Sequence, residues 1–224
     1  MGDSSKYNFD IDYTPTGTHK LILDNVPNGS TVLECGCASG YMTKYMNQKM
    51  NCIVDIFEID EECFIKAREY ARFAYCRDLE SEGWDVSCPN RYDRILFADV
   101  LEHLHDPATV LRKAAKLLQP DGKIVVSIPN ICHNDIIIKL FYNRFDYTPL
   151  GLLDNTHIHF FGLNNLPMFF DDAGLKIVQI TPVIFPTGHT EQRIAGVNRR
   201  LLDLLKEREM GEVYQYVIVC EKDV

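Results

Sequence analysis

Asp99, Glu102 and His103 stand at i, i+3 and i+4 in the segment Ala98-Asp-Val-Leu-Glu-His-Leu104. On a helical turn these three side chains share one face, which gathers two carboxylates and an imidazole. The opposing reading is that Glu102 and His103 only brace a helix against a sheet. Further along, Gly151-Leu-Leu-Asp-Asn-Thr-His-Ile-His-Phe-Phe161 carries His157 and His159, which fall on the same side if the segment is a strand. A histidine beside an acceptor hydroxyl can serve as its general base. Alternatively, His157 bonds to Asp154 and orients the loop.

A second constellation lies near the amino terminus, in Thr31-Val-Leu-Glu-Cys-Gly-Cys-Ala-Ser-Gly-Tyr41. Val32 and Leu33 end an apolar strand, and Glu34 sits at its carboxyl end. Gly36, Ala38 and Gly40 keep the following turn nearly free of side chains, and a helix begins at about Tyr41. Such a turn brings backbone N–H groups and a helix N-terminus up to an anionic ligand. The spacing departs from the dinucleotide fingerprint, because Tyr41 stands where a third small residue is required. Glu58 follows Gly36 by 22 residues, at the end of the next strand. An acid there can accept both hydroxyls of a ribose. The bland reading is a solvated acid among Glu58, Asp60, Glu61 and Glu62.

The elements that must position these groups alternate. Strands are expected at 31–34, 52–57, near 75–78, at 94–98 and at 123–128, with helices at 18–26, 41–50, 61–73 and 107–118 between them. Asp60 and Asp106-Pro107 are the N-cap signals, and Pro120-Asp121-Gly122 the turn. This is the rhythm of a Rossmann-like, doubly wound α/β sheet. Residues 131–161 break it with a helix at 134–142 and many aromatics. An insertion at the carboxyl edge of a sheet is where a substrate lid sits. Tyr142, Phe145 and Tyr147 could wall an acceptor pocket there, or belong to the core. The alternation then resumes with a helix at 164–173, a strand at 176–182, a helix over 191–208 and a last strand at 213–221.

With 224 residues the chain reads as a single domain, 1–224, long enough for a substantial core. No run of 18 apolar residues exists, so no membrane span is expected. The net charge of −9 argues against nucleic acid as a partner. Eight cysteines occur without any C-x-x-C pair, which points away from zinc and towards a reduced, cytoplasmic compartment. Nothing in the pattern specifies an oligomeric state.

The acid-x-G-x-A-x-G of Glu34 to Gly40 resembles motif I of the class I S-adenosylmethionine (SAM) methyltransferases. That resemblance implies a seven-stranded sheet closed by a C-terminal antiparallel strand, with SAM as cofactor. It also implies a binding set of Glu34, Gly36, Cys37, Ala38, Gly40, Glu58, Ile59, Asp78, Leu79 and Ala98. Glu34 would face the methionine amino group, Glu58 the ribose, and Asp78 the adenine amino group with Leu79 flanking the ring. Glu102-His103 is similar to the E-x-x-E-H of small-RNA 3′-end 2′-O-methyltransferases and of some ubiquinone-pathway O-methyltransferases. In the first of these a distant histidine completes a metal site, a part His157 would play beside Asp99, Glu102 and His103. A Mg²⁺- or Mn²⁺-type ion there would hold a hydroxyl and lower its pKa. The blocks Lys6–Asp10, Phe97–His103, Ser127–Asn130, Arg144–Tyr147 and Gly151–Phe161 resemble a bacterial subfamily found beside glycosyltransferases, which suggests a glycan acceptor. Asn155 and His159 stand where that subfamily often has arginine.

The expected activity is methyl transfer to a hydroxyl of a small-molecule or glycan acceptor, with His103, His157 and Asp99 as catalytic candidates. Transfer to nitrogen, RNA 2′-O-methylation, a dinucleotide-dependent oxidoreductase and a non-catalytic SAM-binding protein are the alternatives.

Overall fold

The computed structural model describes residues 14–88, 90–188 and 196–223. The Lys6–Asp10 block and the first residues of the helix expected from Glu191 lie outside them.

Among the described residues seven strands form one sheet: β1 (Thr31–Cys35), β2 (Ile53–Glu58), β3 (Phe73–Cys76), β4 (Tyr92–Ala98), β5 (Leu118–Pro129), β6 (Leu175–Ile184) and β7 (Val213–Lys222). Their spatial order is β3-β2-β1-β4-β5-β7-β6. The first five run parallel, and β7 is antiparallel to both β5 and β6. The helices are α1 (Thr18–Leu23), α2 (Tyr41–Met50), α3 (Glu61–Ala67), α4 (Pro107–Lys116), α5 (Asn134–Phe141), α6 (Leu166–Asp172) and α7 (Arg199–Lys206). The central strands read as apolar runs because both their faces are covered. Val32, Val54 and Leu96 pack on one side with Ile22, Met42 and Met46. Leu33, Phe57, Phe97 and Val126 pack on the other with Leu111 and Phe170. The chain winds outward in one direction from β1 through β3 and in the other from β4 through β5. This reversal opens a crevice at the carboxyl ends of β1 and β4, where open α/β sheets bind ligands. Cys35 registers with Phe97, so the two strands end nearly level.

Both acidic caps form: Asp60 accepts from Cys63 N–H at 2.8 Å and Asp106 from Thr109 N–H at 3.0 Å. Several expected boundaries move, among them α1, which ends at Leu23 rather than 26, and β3, which ends at Cys76 rather than near 78. The α-helix expected over 61–73 ends at Ala67 and runs on as a 3₁₀ turn, Arg68–Tyr70, beyond which buried Asp55 draws Arg72 and Phe73 to the sheet. Its carboxylate takes the Arg72 guanidinium at 2.9 and 2.7 Å, the Tyr92 hydroxyl at 2.7 Å and Phe73 N–H at 3.2 Å. The helix expected to reach 118 stops at Lys116, since Leu118 already pairs with Tyr92; β5 carries the Pro120–Gly122 irregularity within it. The described part of the last helix is only Arg199–Lys206, preceded by Gly196 at φ +76°. No helix among the described residues is long and apolar enough to cross a membrane.

Gly40 initiates α2 at φ +79°, and a Cβ there would lie 2.6 Å from the Ala67 Cα of α3. Gly29 shares the left-handed conformation at φ +78° but faces open space. Gly29→Ala should therefore lose only about 1 kcal/mol from backbone strain. Gly40→Ala should lose roughly 2–4 kcal/mol, because two helices must also separate. Urea unfolding of both variants checks this, and equal losses would show that the α2–α3 approach is not tight.

Candidate active site

The turn after β1 is held by its own backbone and by one carboxylate from β2. Gly36 N–H donates to Phe57 carbonyl at 2.8 Å, and Gly36, Ala38 and Gly40 all adopt positive φ. Val100, just after β4, presses on Gly36, whose Cβ would lie 2.6 Å from Val100 Cγ2. Glu58 Oε2 accepts from Ala38 N–H at 2.7 Å, and Oε1 accepts from Ile59 and Asp60 N–H at 2.9 Å each. The carboxylate thus ties the β1 turn to the end of β2. Burial raises its pKa, and the three N–H donors work against that rise.

Glu34 is buried at the end of β1. Its Oε2 accepts from the Thr43 hydroxyl at 2.6 Å, while Oε1 has no partner among the described residues. Burial pushes its pKa up to about 8, with the nearby Glu58 charge adding to the rise. A buried carboxylate oxygen without a partner is the electrostatic complement of a cation. Cys37 is buried and its thiol is pushed well up by burial, so it serves as wall rather than nucleophile. Ile59, beside Glu58, is 67% exposed, an apolar side chain at the mouth of the site. Asp78 and Leu79 follow β3; Asp78 Oδ1 accepts from Glu80 N–H at 2.7 Å, and Leu79 is buried. Ala98 closes β4 on the same edge.

The structure regroups the second constellation. Leu101–His103 is a single 3₁₀ turn that begins after Asp99, and Asp99 itself adopts φ +53°. The i, i+3, i+4 face expected for an α-helix is therefore not formed. Asp99 instead accepts from the Ser127 hydroxyl at 2.7 Å and the Gln215 amide at 2.8 Å. Glu102, His103 and His157 do converge, with a ligand atom from each lying within 4.8 Å of the others. Glu102 is fully buried, and neither carboxylate oxygen has a hydrogen-bond partner among the described residues. Its pKa stands well above the ordinary range, first through burial and then through Asp99 and Asp154. His157 Nε2 lies 3.9 Å from Glu102 Oε1, and the His103 and His157 rings meet edge to face at 4.8 Å.

Hydrogen bonding fixes how these rings present themselves. His157 Nδ1 lies 3.3 Å from the Leu152 carbonyl, and His103 Nδ1 lies 3.2 Å from the Thr156 carbonyl. A carbonyl oxygen only accepts, so each Nδ1 carries the proton and the Nε2 of each neutral ring carries none. His159 does not join them: its Nε2 lies 3.2 Å from the His105 carbonyl. Residues 157–160 form no strand; Ile158 and His159 N–H instead donate to the Glu102 carbonyl at 2.9 and 3.1 Å. Phe145 and Tyr147 are exposed and meet edge to face, Phe145 also meets Phe160 edge to face, and the Tyr142 hydroxyl accepts from Asn198 N–H at 2.9 Å. Sequence reasoning missed Ser127 and Gln215, which reach Asp99 from distant strands, and Thr156. No local pattern marks Gln215.

A family model of the methyltransferase domain matches residues 11–180. In sequence the chain is similar to the ubiquinone biosynthesis O-methyltransferase of Neisseria meningitidis serogroup A, at 30% identity over 107 residues, 46% of this chain and 45% of that protein. It is also similar to the ubiquinone biosynthesis O-methyltransferase of Coxiella burnetii, at 24% identity over 161 residues, 69% of this chain and 67% of that protein. The match thus spans less than half the length of the Neisseria relative. In fold it is similar to an S-adenosylmethionine-dependent methyltransferase from Mesorhizobium loti, with TM-score 0.62, 12% identity and coverage of 91% and 97% of the two chains. Magnesium protoporphyrin IX methyltransferase from Synechocystis, solved with S-adenosylhomocysteine, gives TM-score 0.58 at 14% identity, covering 91% and 78%.

Glu34 makes stability depend on pH. Its pKa is higher folded than unfolded, so between about 4.5 and about 8 the folded state holds the extra proton. Stability without ligand therefore falls as pH rises through that window. Glu34→Gln should flatten that part of the wild-type profile, as measured by urea unfolding across pH. Parallel profiles for the two proteins would contradict the assigned shift.

Proposed function

Since the chain belongs to the methyltransferase domain family of SAM-dependent enzymes, we propose that it methylates a hydroxyl of a small-molecule acceptor. The observation that carries this reading is the Glu102–His103–His157 cluster beside the β1 turn. A neutral amine needs little besides alignment, whereas an alcohol must lose a proton. Two imidazoles whose Nδ1 atoms face carbonyls, beside a buried carboxylate, are suited to that loss.

SAM supplies an electrophilic methyl group on its sulfonium. In this reading Glu34 Oε1 takes the amino group and offsets the positive charge of the ligand. Gly36, Cys37, Ala38 and Gly40 offer backbone. Glu58 accepts from the ribose, since a carboxylate has about four lone-pair sites and three N–H groups leave one. Ile59 and Leu79 flank the base, Asp78 takes its amino group, and Ala98 keeps the floor flat. Asp99 faces the acceptor from the end of β4, oriented by Ser127 and Gln215. The 131–161 segment supplies the acceptor side and acts as the lid. Support for a hydroxyl comes from the O-methyltransferase names of the relatives. Support for a glycan comes from the likeness of residues 144–161 to methyltransferases found beside glycosyltransferases. The net charge of −9 speaks against RNA.

A divalent ion is a second reading, favoured by the donor set itself: a carboxylate oxygen and one nitrogen from each of two imidazoles within 4.8 Å. Glu102, His103 and His157 would hold a Mg²⁺ or Mn²⁺ ion, which would lower the pKa of a bound hydroxyl. Asp99 stands outside that set.

Radiolabelled SAM offered with a panel of phenols, sugars and amines tests both readings. Methyl ethers should form and methylated amines should not. His157→Ala should lower turnover about 10²- to 10⁴-fold, the range for a positioned proton acceptor. EDTA with full restoration by Mg²⁺ or Mn²⁺ selects the metal, and insensitivity to EDTA selects His157 as general base. Methylation confined to amines, or full activity of His157→Ala, would contradict the hydroxyl reading.

A further inference from the structure

We infer that Asp154 and Thr156 are positioning residues that decide which nitrogen of His103 carries the proton. The inference rests on the reading of His103 as part of the acceptor-activating cluster. It goes beyond that reading by assigning the groups that prepare the ring.

Asp154 is buried, in the segment that follows α5. Its Oδ1 accepts from Thr156 N–H at 2.8 Å and from the Thr156 hydroxyl at 2.6 Å. The first of these closes an Asx turn; the second fixes the single hydroxyl proton of Thr156. With that proton given to Asp154, the Thr156 oxygen is left as an acceptor. It lies 3.0 Å from His103 Nδ1, and the Thr156 carbonyl lies 3.2 Å from the same atom. Two acceptors on one nitrogen hold the proton there.

This arrangement opposes the ring's own preference. A neutral imidazole side chain in water places its proton mainly on Nε2. Only the Nδ1–H form leaves Nε2 as a lone pair, able to take a proton from a hydroxyl or to bind a cation. The Asp154–Thr156 pair therefore converts His103 from a donor at Nε2 into an acceptor. Thr156 also belongs to the segment whose Ile158 and His159 N–H groups dock on the Glu102 carbonyl at 2.9 and 3.1 Å. His103 is thus prepared by residues some fifty positions away, and only where that segment is seated on the 101–103 turn. A merely structural Asx turn would need neither the threonine hydroxyl nor its contact with the ring.

The test is ¹⁵N spectroscopy of the full chain labelled at histidine, at an alkaline pH where the rings are neutral. His103 is assigned by its loss in His103→Gln. The wild-type ring should show the proton on Nδ1. Thr156→Val, which removes the hydroxyl and keeps the shape, should shift the population towards Nε2–H, and Thr156→Ser should restore Nδ1–H. Asp154→Ala, which frees the threonine proton to turn to the ring, should shift it as Thr156→Val does. S-adenosylmethionine affinity by calorimetry should stay within about twofold of wild type in the threonine variants, which shows that they are folded. With an acceptor in hand, Thr156→Val should lower turnover about 10- to 100-fold, the usual effect of an outer partner. A wild-type His103 protonated on Nε2, or a Thr156→Val spectrum identical to wild type, overturns the assignment. Failure to methylate any hydroxyl would instead strike the proposed activity and leave the spectroscopic result standing.

Discussion

Two carboxylates end up dry at the carboxyl ends of neighbouring strands, and much of the architecture serves to hold them there. Glu34 closes β1 with one oxygen unpartnered, and Glu102 follows β4 with both unpartnered among the described residues. Taking an ionised carboxylate out of water without a partner destabilises a fold by several kcal/mol. Asp55 shows what the same chain does with a structural acid. It is equally buried, yet it receives Arg72, the Tyr92 hydroxyl and a backbone N–H. The contrast sets Glu34 and Glu102 apart from a structural acid, since three of their four oxygens have no hydrogen-bond partner among the described residues.

Their placement follows from the sheet. Parallel pairing of β1 with β4 brings both ends level, and packing on both faces keeps water from the strands beneath them. Gly40 then lets α2 and α3 approach, and Gly36 admits Val100 against the β1 turn. Glu58 adds a lateral tie, fastening the β1 turn to β2 through Ala38. On the far side the 151–161 segment is latched to the Glu102 carbonyl, which brings His157 against the carboxylate.

What the sequence disclosed was local. The Glu34–Gly40 turn, the Asp60 and Asp106 caps and the alternation of strand and helix each rest on residues within a few positions of one another, and all were legible. Boundaries failed where a distant partner intervened: Asp55 drew Arg72 and Phe73 into the sheet, and Tyr92 drew Leu118. The grouping of Asp99 with Glu102 and His103 failed because a 3₁₀ turn and a positive φ replaced the expected α-helical face. Gln215, which orients Asp99 from β7, and Thr156, which meets His103, become neighbours only through the tertiary fold. The meeting of His157 with Glu102 and His103 was legible, although residues 157–160 form no strand.

In the proposed site Glu34 is the group that would exchange a proton for a cation. Burial holds its pKa up at about 8, so in the proposed site pairing with the amino group of S-adenosylmethionine would expel a proton at neutral pH. Calorimetry of S-adenosylmethionine binding at neutral pH, repeated in buffers of different ionisation enthalpy, counts that proton. The account predicts release of close to one proton by the wild-type protein and almost none by Glu34→Gln. Equal proton release from both proteins would contradict it.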